Sequence, residues 1–154
     1  MARSIATADR VNRQHLLEFL RERHRAVLMT TRRDGRPQSS PVSCGLSRTD
    51  QLVIATYPDR VKTMNARRDP RVSVCVLSDD WSGPYVHVDG RASVSDMPEA
   101  EDGLVEYFRC ISGEHPDWDE YRQAMRTQDK SLITIDIEAW GPIATGGFPP
   151  RLAD

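Results

Sequence analysis

The stretch Pro84-Tyr-Val-His-Val-Asp-Gly90-Arg-Ala-Ser-Val-Ser-Asp96 has a glycine in its interior. We predict that this stretch is a β-strand. Its interior Gly90 indicates a bulge or a sharp bend, because a glycine inside a strand often marks such a site. A bend of this kind lets a sheet curl into a barrel. The stretch therefore favours a curled β structure over a flat sheet.

The segments around this strand carry the two-residue period of half-buried strands. Valine occupies every second position from Val72 to Val76, and isoleucine does so from Ile133 to Ile137. Further strands are predicted at residues 25–31, 37–45 and 52–57. Six strands, joined largely by hairpins and flanked by helices, predict a mainly β fold with helices (α+β). They favour a small antiparallel barrel over a parallel, doubly wound sheet.

Turn and helix signals divide the rest of the chain. The pair Asp34-Gly35 predicts a two-residue hairpin turn, since it supplies the positive φ that such a turn needs. Helical spacing predicts an opening helix over about residues 9–24, with Thr7 or Asp9 as its N-cap. Other helices are predicted at 59–68, 98–112 and 117–126, before a Gly- and Pro-rich tail at 141–154. Because no repeat or linker is visible, we expect one domain over residues 1–154.

Composition excludes several classes of function. The 154 residues are 38% hydrophobic, and the longest apolar runs span only a few residues, so no membrane span is predicted. A net charge of -2 lacks the basic excess of a typical nucleic-acid binder. The three cysteines are too widely spaced to indicate a disulfide framework or a zinc site. With no apolar core of a secretory signal at the N-terminus, we expect a cytoplasmic protein.

The basic residues are unevenly chosen. Nineteen of the 21 are arginine, and only Lys62 and Lys130 are lysine. A GC-rich genome accounts for the arginine bias, which makes the position of each lysine informative. Lys62 falls at a predicted helix start, whereas Lys130 lies before the last strand, where no role is predicted.

The junction Thr56-Tyr-Pro-Asp-Arg60-Val-Lys62-Thr63-Met-Asn65 is the most informative motif. A helix N-terminus offers free N–H groups and the positive end of a dipole, and Arg60 and Lys62 add two cations there. That chemistry suits a phosphate group. The alternative is a solvated helix face, although cations in a first turn are unfavourable with the dipole when no anion is present.

Other catalytic motifs are absent from the sequence. The four histidines have no spacing that indicates a metal site, so we expect no metal. Neither a serine nucleophile elbow nor a Rossmann or Walker glycine loop occurs. Asp79 and Asp80 could bind a cation, although adjacent loop acids are more often simply solvated. Trp81 and Trp140 fit core or interface packing better than a ligand platform, but a flat cofactor at a dimer seam would also explain them.

An ordered set of motifs resembles the split β-barrel flavin and deazaflavin oxidoreductases, a pyridoxamine 5'-phosphate oxidase-like superfamily. It is similar in particular to their actinobacterial, coenzyme F420-dependent branch. The resemblance covers roughly residues 15–150. It rests on Asp34-Gly-Arg-Pro-Gln38, Arg60-x-Lys62-Thr63-x-Asn65, Arg67-Arg-Asp-Pro-Arg71, Asp79-Asp-Trp81 and Gly113-Glu-His-x-Asp-Trp-x-x-Tyr-Arg-Gln-Ala-Met125.

The resemblance implies an FMN-binding-like split barrel that forms a homodimer, with two cofactor sites at the subunit interface. Arg60 and Lys62 would hold the cofactor phosphate, with Thr63 and Asn65 nearby. The ring and its ribityl chain would lie against two strands, lined by Gln38, Ser40, Pro41 and Val42 on one and by Ile54, Ala55 and Thr56 on the other. Asp80 and Trp81 would reach in from the partner subunit. The chain departs from the family pattern at Pro41 and in the longer segment 81–85.

The resulting hypothesis is an F420-dependent reductase that transfers a hydride from reduced deazaflavin to a conjugated small-molecule acceptor. The cofactor carries this chemistry, so no catalytic side chain is predicted for the hydride step. One alternative is an FMN-dependent enzyme like the pyridoxamine-phosphate oxidases, which usually have a longer, basic C-terminal strand. The other is a flavin- or haem-binding carrier without turnover. Residue types do not rank the candidate acceptors, which include tetrapyrroles, quinones and aromatic xenobiotics.

Overall fold

A computed structural model describes residues 4–153 of the chain. Its elements, in chain order, are β1 (Thr7–Asp9), α1 (Arg13–Arg21), β2 (Arg25–Thr31), β3 (Pro37–Ser43), β4 (Gly45–Leu46), β5 (Leu52–Thr56), α2 (Val61–Arg68), β6 (Arg71–Leu77), β7 (Val86–Ser95), α3 (Glu101–Ser112), α4 (Trp118–Thr127), β8 (Ser131–Trp140) and β9 (Ile143–Thr145). A short 3₁₀ turn, Pro150–Leu152, follows. The described part contains no helix that is long and apolar enough to cross a bilayer.

Seven antiparallel strands form one curled sheet in the order β3-β2-β6-β7-β8-β5-β4. The fold is thus mainly β with four helices, and the sheet makes a half-barrel of the predicted kind. The expected number of six strands is wrong, because the predicted strand 37–45 divides at Cys44. The Cys44 N–H donates to the carbonyl of His24 (2.8 Å), and the chain then leaves β2 and pairs with β5 as β4.

The bend predicted at Gly90 is confirmed. Asp89 pairs with Ala139 but Gly90 pairs with Ile137, so the register between β7 and β8 shifts at this point. A Cβ atom at Gly90 would lie 2.4 Å from the carbonyl oxygen of Asp136. Only glycine allows the two strands to approach this closely, which is why the sheet can curl here.

The alternating strand residues fill the barrel interior. The buried valines and isoleucines of β6, β7 and β8 form one apolar core with Leu16 and Leu20 of α1.

The predicted turn between β2 and β3 differs in detail from the structure. Arg32 and Arg36 close a loop of three residues, in which Gly35 alone has a positive φ of 86°. A three-residue loop with a left-handed last residue replaces the two-residue turn.

The two ends of the described chain differ from the prediction. Helix α1 begins at Arg13 and not near Asp9, because the side chain of Asn12 accepts the N–H of His15 (2.9 Å) and caps the helix there. Residues 7–9 form β1, which pairs antiparallel with β9 in the predicted tail. The tail is therefore partly a strand, and it joins the beginning of the described chain to its end.

Helices α3 and α4 build a second apolar cluster on the outer side of β5 and β8. The buried hydroxyl of Tyr121 donates to the carbonyl of Leu104 (2.7 Å), which ties the two helices together. Asp117 caps α4 by accepting the N–H of Glu120 (3.1 Å). Across the same helix pair, Glu101 accepts hydrogen bonds from Arg126 and Arg122, and these bonds lower the pKa of the Glu101 carboxyl. Glu101 and Asp102 are thus paired with arginines of the neighbouring helix.

Candidate functional site

The junction between β5 and α2 is held rigidly by buried hydroxyl groups. Thr63, which is fully buried, donates to the carbonyl of Tyr57 (2.8 Å). Its oxygen also lies 2.9 Å from the hydroxyl oxygen of Thr56, which is buried as well. These two contacts tie the first turn of α2 back onto the end of β5. The N-terminus of α2 consequently has a fixed position and direction.

Within the described residues, no side chain caps the start of α2 by accepting a hydrogen bond from its N–H groups. Arg60 is the N-cap residue in an extended conformation, it makes no capping hydrogen bond, and the first turn contains no acid. Lys62 is half-buried in that turn. Burial, and secondly the charge of Arg60, lower the pKa of the Lys62 ammonium group. Free N–H groups and two cations at a helix N-terminus form a site for an anion.

A third cation, Lys130, approaches the same aromatic ring as Arg60. The Lys130 ammonium nitrogen is 5.2 Å from the centre of the Tyr57 ring, and the guanidinium carbon of Arg60 is 5.6 Å from the same centre. The sequence predicts no role for Lys130, and its contact with Tyr57 was not foreseen. The feature of the sequence that could have drawn attention to Lys130 is its residue type, because the chain contains only two lysines.

A chain of hydrogen bonds runs from α2 across β2 to β3. Arg68 donates to the Asn65 side-chain oxygen (2.9 Å), and the Asn65 amide donates to the hydroxyl of Thr30 (3.1 Å). Thr30 in turn donates to the Gln38 side chain (3.2 Å), whose amide donates to the Ser40 hydroxyl (2.8 Å). Three of these five side chains, Arg68, Asn65 and Gln38, lie in motifs that carry the resemblance. The network fixes β3 relative to the cationic helix start.

The predicted site residues consequently fall into distinct groups. Only Arg60 and Lys62 present charge at the start of α2. Thr63 and Asn65 use their polar atoms inside the protein, so they support the helix start and do not face outward. On β5, Ile54 and Thr56 are buried toward the barrel, whereas Ala55 points to the other face and packs against the α3–α4 cluster. Their side chains therefore do not share a single surface.

Pro41, Val42 and Trp81 line one cavity of about 570 Å³ on the outer side of β2 and β3. Asp80 and Trp81 also line a neighbouring cavity of about 550 Å³, together with Tyr85 and the tail residues Gly146 and Gly147. Trp81 is 89% exposed, the most of any large apolar residue in the described chain. Tyr85 was not among the predicted site residues. Its position in the segment 81–85, where the chain departs from the family pattern, could have pointed to it.

The curled seven-stranded sheet and its flanking helices are those of a split-barrel protein. The chain belongs to the pyridoxamine 5'-phosphate oxidase family, whose model matches residues 13–144. The match includes the whole seven-stranded sheet and all four helices.

Solved structures of low sequence identity share this fold. A conserved hypothetical protein from Mycobacterium tuberculosis has a TM-score of 0.72 at 19% identity, and the alignment covers 91% of this chain and 89% of that one. An F420 reductase has a TM-score of 0.59 at 22% identity, with 80% and 94% covered. An FAD-binding protein from Mesorhizobium loti has a TM-score of 0.62 at 18% identity, with 92% and 98% covered. The fold thus occurs in proteins named for flavin and for deazaflavin.

Proposed function

We propose that this protein is an F420-dependent oxidoreductase that reduces a conjugated small molecule. The observation that carries the proposal is the uncapped start of α2, where Arg60 and Lys62 have no acidic partner. Membership of the pyridoxamine 5'-phosphate oxidase family and the fold shared with an F420 reductase support the same assignment. A phosphate-bearing ring cofactor is the ligand class that this arrangement suits.

The residues of the helix start would hold the phosphate of the cofactor. Arg60 offers a planar fork of N–H donors, and Lys62 offers a compact charge that burial has partly stripped of water. The uncapped N–H groups of α2 add their dipole. Because Thr56 and Thr63 fix this turn from inside, the donors need little reorganisation when the anion binds.

Strand β3 would lie beside the ring. Gln38 and Ser40 are hydrogen-bonded to each other and, through Thr30 and Asn65, to α2, so the ring side and the phosphate side are held as one unit. When bound, the reduced deazaflavin supplies the hydride. The contribution of the chain is to bind and orient the cofactor and to exclude water from one of its faces.

The proposal includes a homodimer. Val27 lies in one cross-strand row with Pro41 and Cys75 on the outer face of the sheet, and this row is only partly covered within one chain. Beside it, the indole of Trp81 is almost fully exposed. Large exposed aromatic residues next to an apolar face are characteristic of interfaces. A second copy packed on this face would bring its Asp80 and Trp81 toward the cofactor of the first.

FMN is the second candidate cofactor, because the same cations could hold its single phosphate and the fold also occurs in an FAD-binding protein. Titration of the purified protein with F420, FMN and haem, followed by absorbance and fluorescence, separates these ligands. We expect F420 to bind most tightly and reduced F420 to be oxidised when the protein and a quinone or aromatic acceptor are present.

Each other outcome has a defined meaning. Tight FMN binding without F420 binding would assign an FMN enzyme. Tight binding of any of the three ligands, without turnover across a broad panel of acceptors, would assign a carrier. If none of the three ligands binds, the proposed function is wrong.

A further inference from the structure

Two cations, Arg60 and Lys130, approach the ring of Tyr57, and a third, Lys62, follows Arg60 in the first turn of α2. Arg60 belongs to the β5–α2 junction, Lys62 to the first turn of α2, and Lys130 to the connection between α4 and β8. Arg60 and Lys130 both approach the Tyr57 ring, at 5.6 and 5.2 Å from its centre. We call Arg60, Lys62 and Lys130 the Tyr57 cluster.

The sheet register explains why Lys130 joins this cluster. Thr56 at the end of β5 pairs with Ser131 at the start of β8. The next residues in the two antiparallel strands, Tyr57 and Lys130, are therefore neighbours. The pairing of β5 with β8 therefore brings Tyr57 and Lys130 together, although they are far apart in the sequence.

The charges of the Tyr57 cluster are not balanced within the described residues. None of its three cations has a carboxylate oxygen within 4 Å, whereas Arg67, Arg109, Arg122 and other arginines do. Burial, and secondly the positive charge of Arg60, lower the pKa of Lys62, so the first turn of α2 holds two like charges that repel each other. A bound anion would relieve this repulsion.

We propose that Lys130 is a third anion-binding residue of the site, and that the site takes a ligand end carrying more than one negative charge. Two cations suffice for a singly charged phosphodiester, and the third favours a phosphate monoester dianion or a phosphodiester followed by a carboxylate. FMN offers the first of these groups and F420 offers the second. The inference rests on the proposed function for the identity of the ligand, but the cluster itself rests on contacts within the chain.

Calorimetric titration of the full chain with pyrophosphate, FMN, F420 and riboflavin tests this inference. Lys130→Gln removes the charge and keeps most of the side-chain length. Arg91→Gln is the matched control, because it removes one charge from an exposed position on β7 that also has no ion pair within residues 4–153. Thermal unfolding of both variants checks that the fold is intact.

We expect Lys130→Gln to weaken the binding of the charged ligands by roughly tenfold or more, which is the range for a charge-assisted hydrogen bond. Riboflavin, which has no phosphate, should bind both forms equally, and Arg91→Gln should change every affinity by less than about twofold. A loss seen with FMN alone would identify the monoester as the favoured group, and a loss seen with F420 alone would identify the phosphodiester with its carboxylate.

Unchanged affinities of all charged ligands in Lys130→Gln would overturn the inference while leaving the proposed function intact. If pyrophosphate binds in a Lys130-dependent way but neither FMN nor F420 binds, the anion site stands and the proposed function falls. If no charged ligand binds the unmodified protein, both are wrong.

Discussion

Two helix N-termini in this small protein carry charges of opposite sign. At the start of α4, Asp117 caps the helix and the first turn contains Asp119 and Glu120. At the start of α2 there is no side-chain cap and no acid, and the first-turn charges are Arg60 and Lys62. Carboxylates near a helix N-terminus stabilise it, and cations destabilise it. The α4 start is therefore built for stability.

The α2 start costs stability, which fits the anion site that we propose there. Around α3 and α4, Glu101 pairs with Arg122 and Arg126, so positive charge there is neutralised within the chain. In the Tyr57 cluster no such pairing exists among the described residues. Local charge pattern therefore separates the two helix starts, and net charge does not. An overall charge of -2 is compatible with a local excess of positive charge at the start of α2.

The largest expected effect comes from removing the charge at the α2 start. Lys62→Ala should weaken cofactor binding by about 1.5–3 kcal/mol, the range for a hydrogen bond to a charged group. Stability should not fall in parallel, because the variant also removes the repulsion between Lys62 and Arg60. Calorimetric titration with F420, combined with urea unfolding in the absence of ligand, measures both quantities.

Unchanged F420 affinity in Lys62→Ala would remove the phosphate site from the start of α2. Lys62→Arg serves as the conservative variant. It should recover part of the affinity, since it restores the charge while changing the geometry of the donors.

Removing the cap of α4 is the reverse test. Asp117→Ala should lower the free energy of unfolding by about 1 kcal/mol, because the Glu120 N–H then loses its acceptor. F420 affinity should stay the same, since α4 lies on the opposite side of β5 from the barrel. Urea unfolding and the same titration give the answer, and a loss of affinity would mean that the two helix starts are coupled.

The smallest effects appear at the two ends of the pH scale. The bonds from Arg126 and Arg122 lower the pKa of Glu101 below its usual 4.5. Their stabilising contribution is therefore present above pH 4.5 and is lost as the pH falls through the lowered pKa.

The pKa of Lys62 is lowered from 10.5, so cofactor affinity should begin to fall at a pH below 10.5. Thermal unfolding in acid and F420 titration in alkali follow the two effects separately. Lys62→Arg should show no alkaline loss at the same pH.

Local patterns predicted the central sheet well. The alternation in β6 and β8 and the glycine in β7 are set by burial on one face and by a close backbone approach, and both leave a direct trace in the sequence. The start of α2 was predicted from Pro58 and Asp59 to within two residues of its observed position at Val61. The assignment of Arg60 and Lys62 to a cofactor phosphate stays a prediction.

Long-range pairing was not predictable in the same way. The pairing of β1 with β9 depends on two three-residue segments that lie more than a hundred positions apart, and neither segment has a strand pattern of its own. Lys130 reaches Tyr57 only through the register of β5 on β8. The buried roles of Thr63 and Asn65 also required coordinates, since a polar residue at a helix start is equally compatible with an inward and an outward side chain.

The two prolines of β3 have a consequence for the behaviour of the protein at high concentration. β3 is an edge strand of the sheet, and Pro37 and Pro41 pair with Thr31 and Val27 of β2. Because proline has no N–H to give to β2, its ring nitrogen is expected to point to the open edge. Residues 37, 39, 41 and 43 point the same way, so half of the donors that another strand could use there are missing. Edge prolines hinder the addition of further strands, which protects the open half of the barrel against edge-to-edge aggregation.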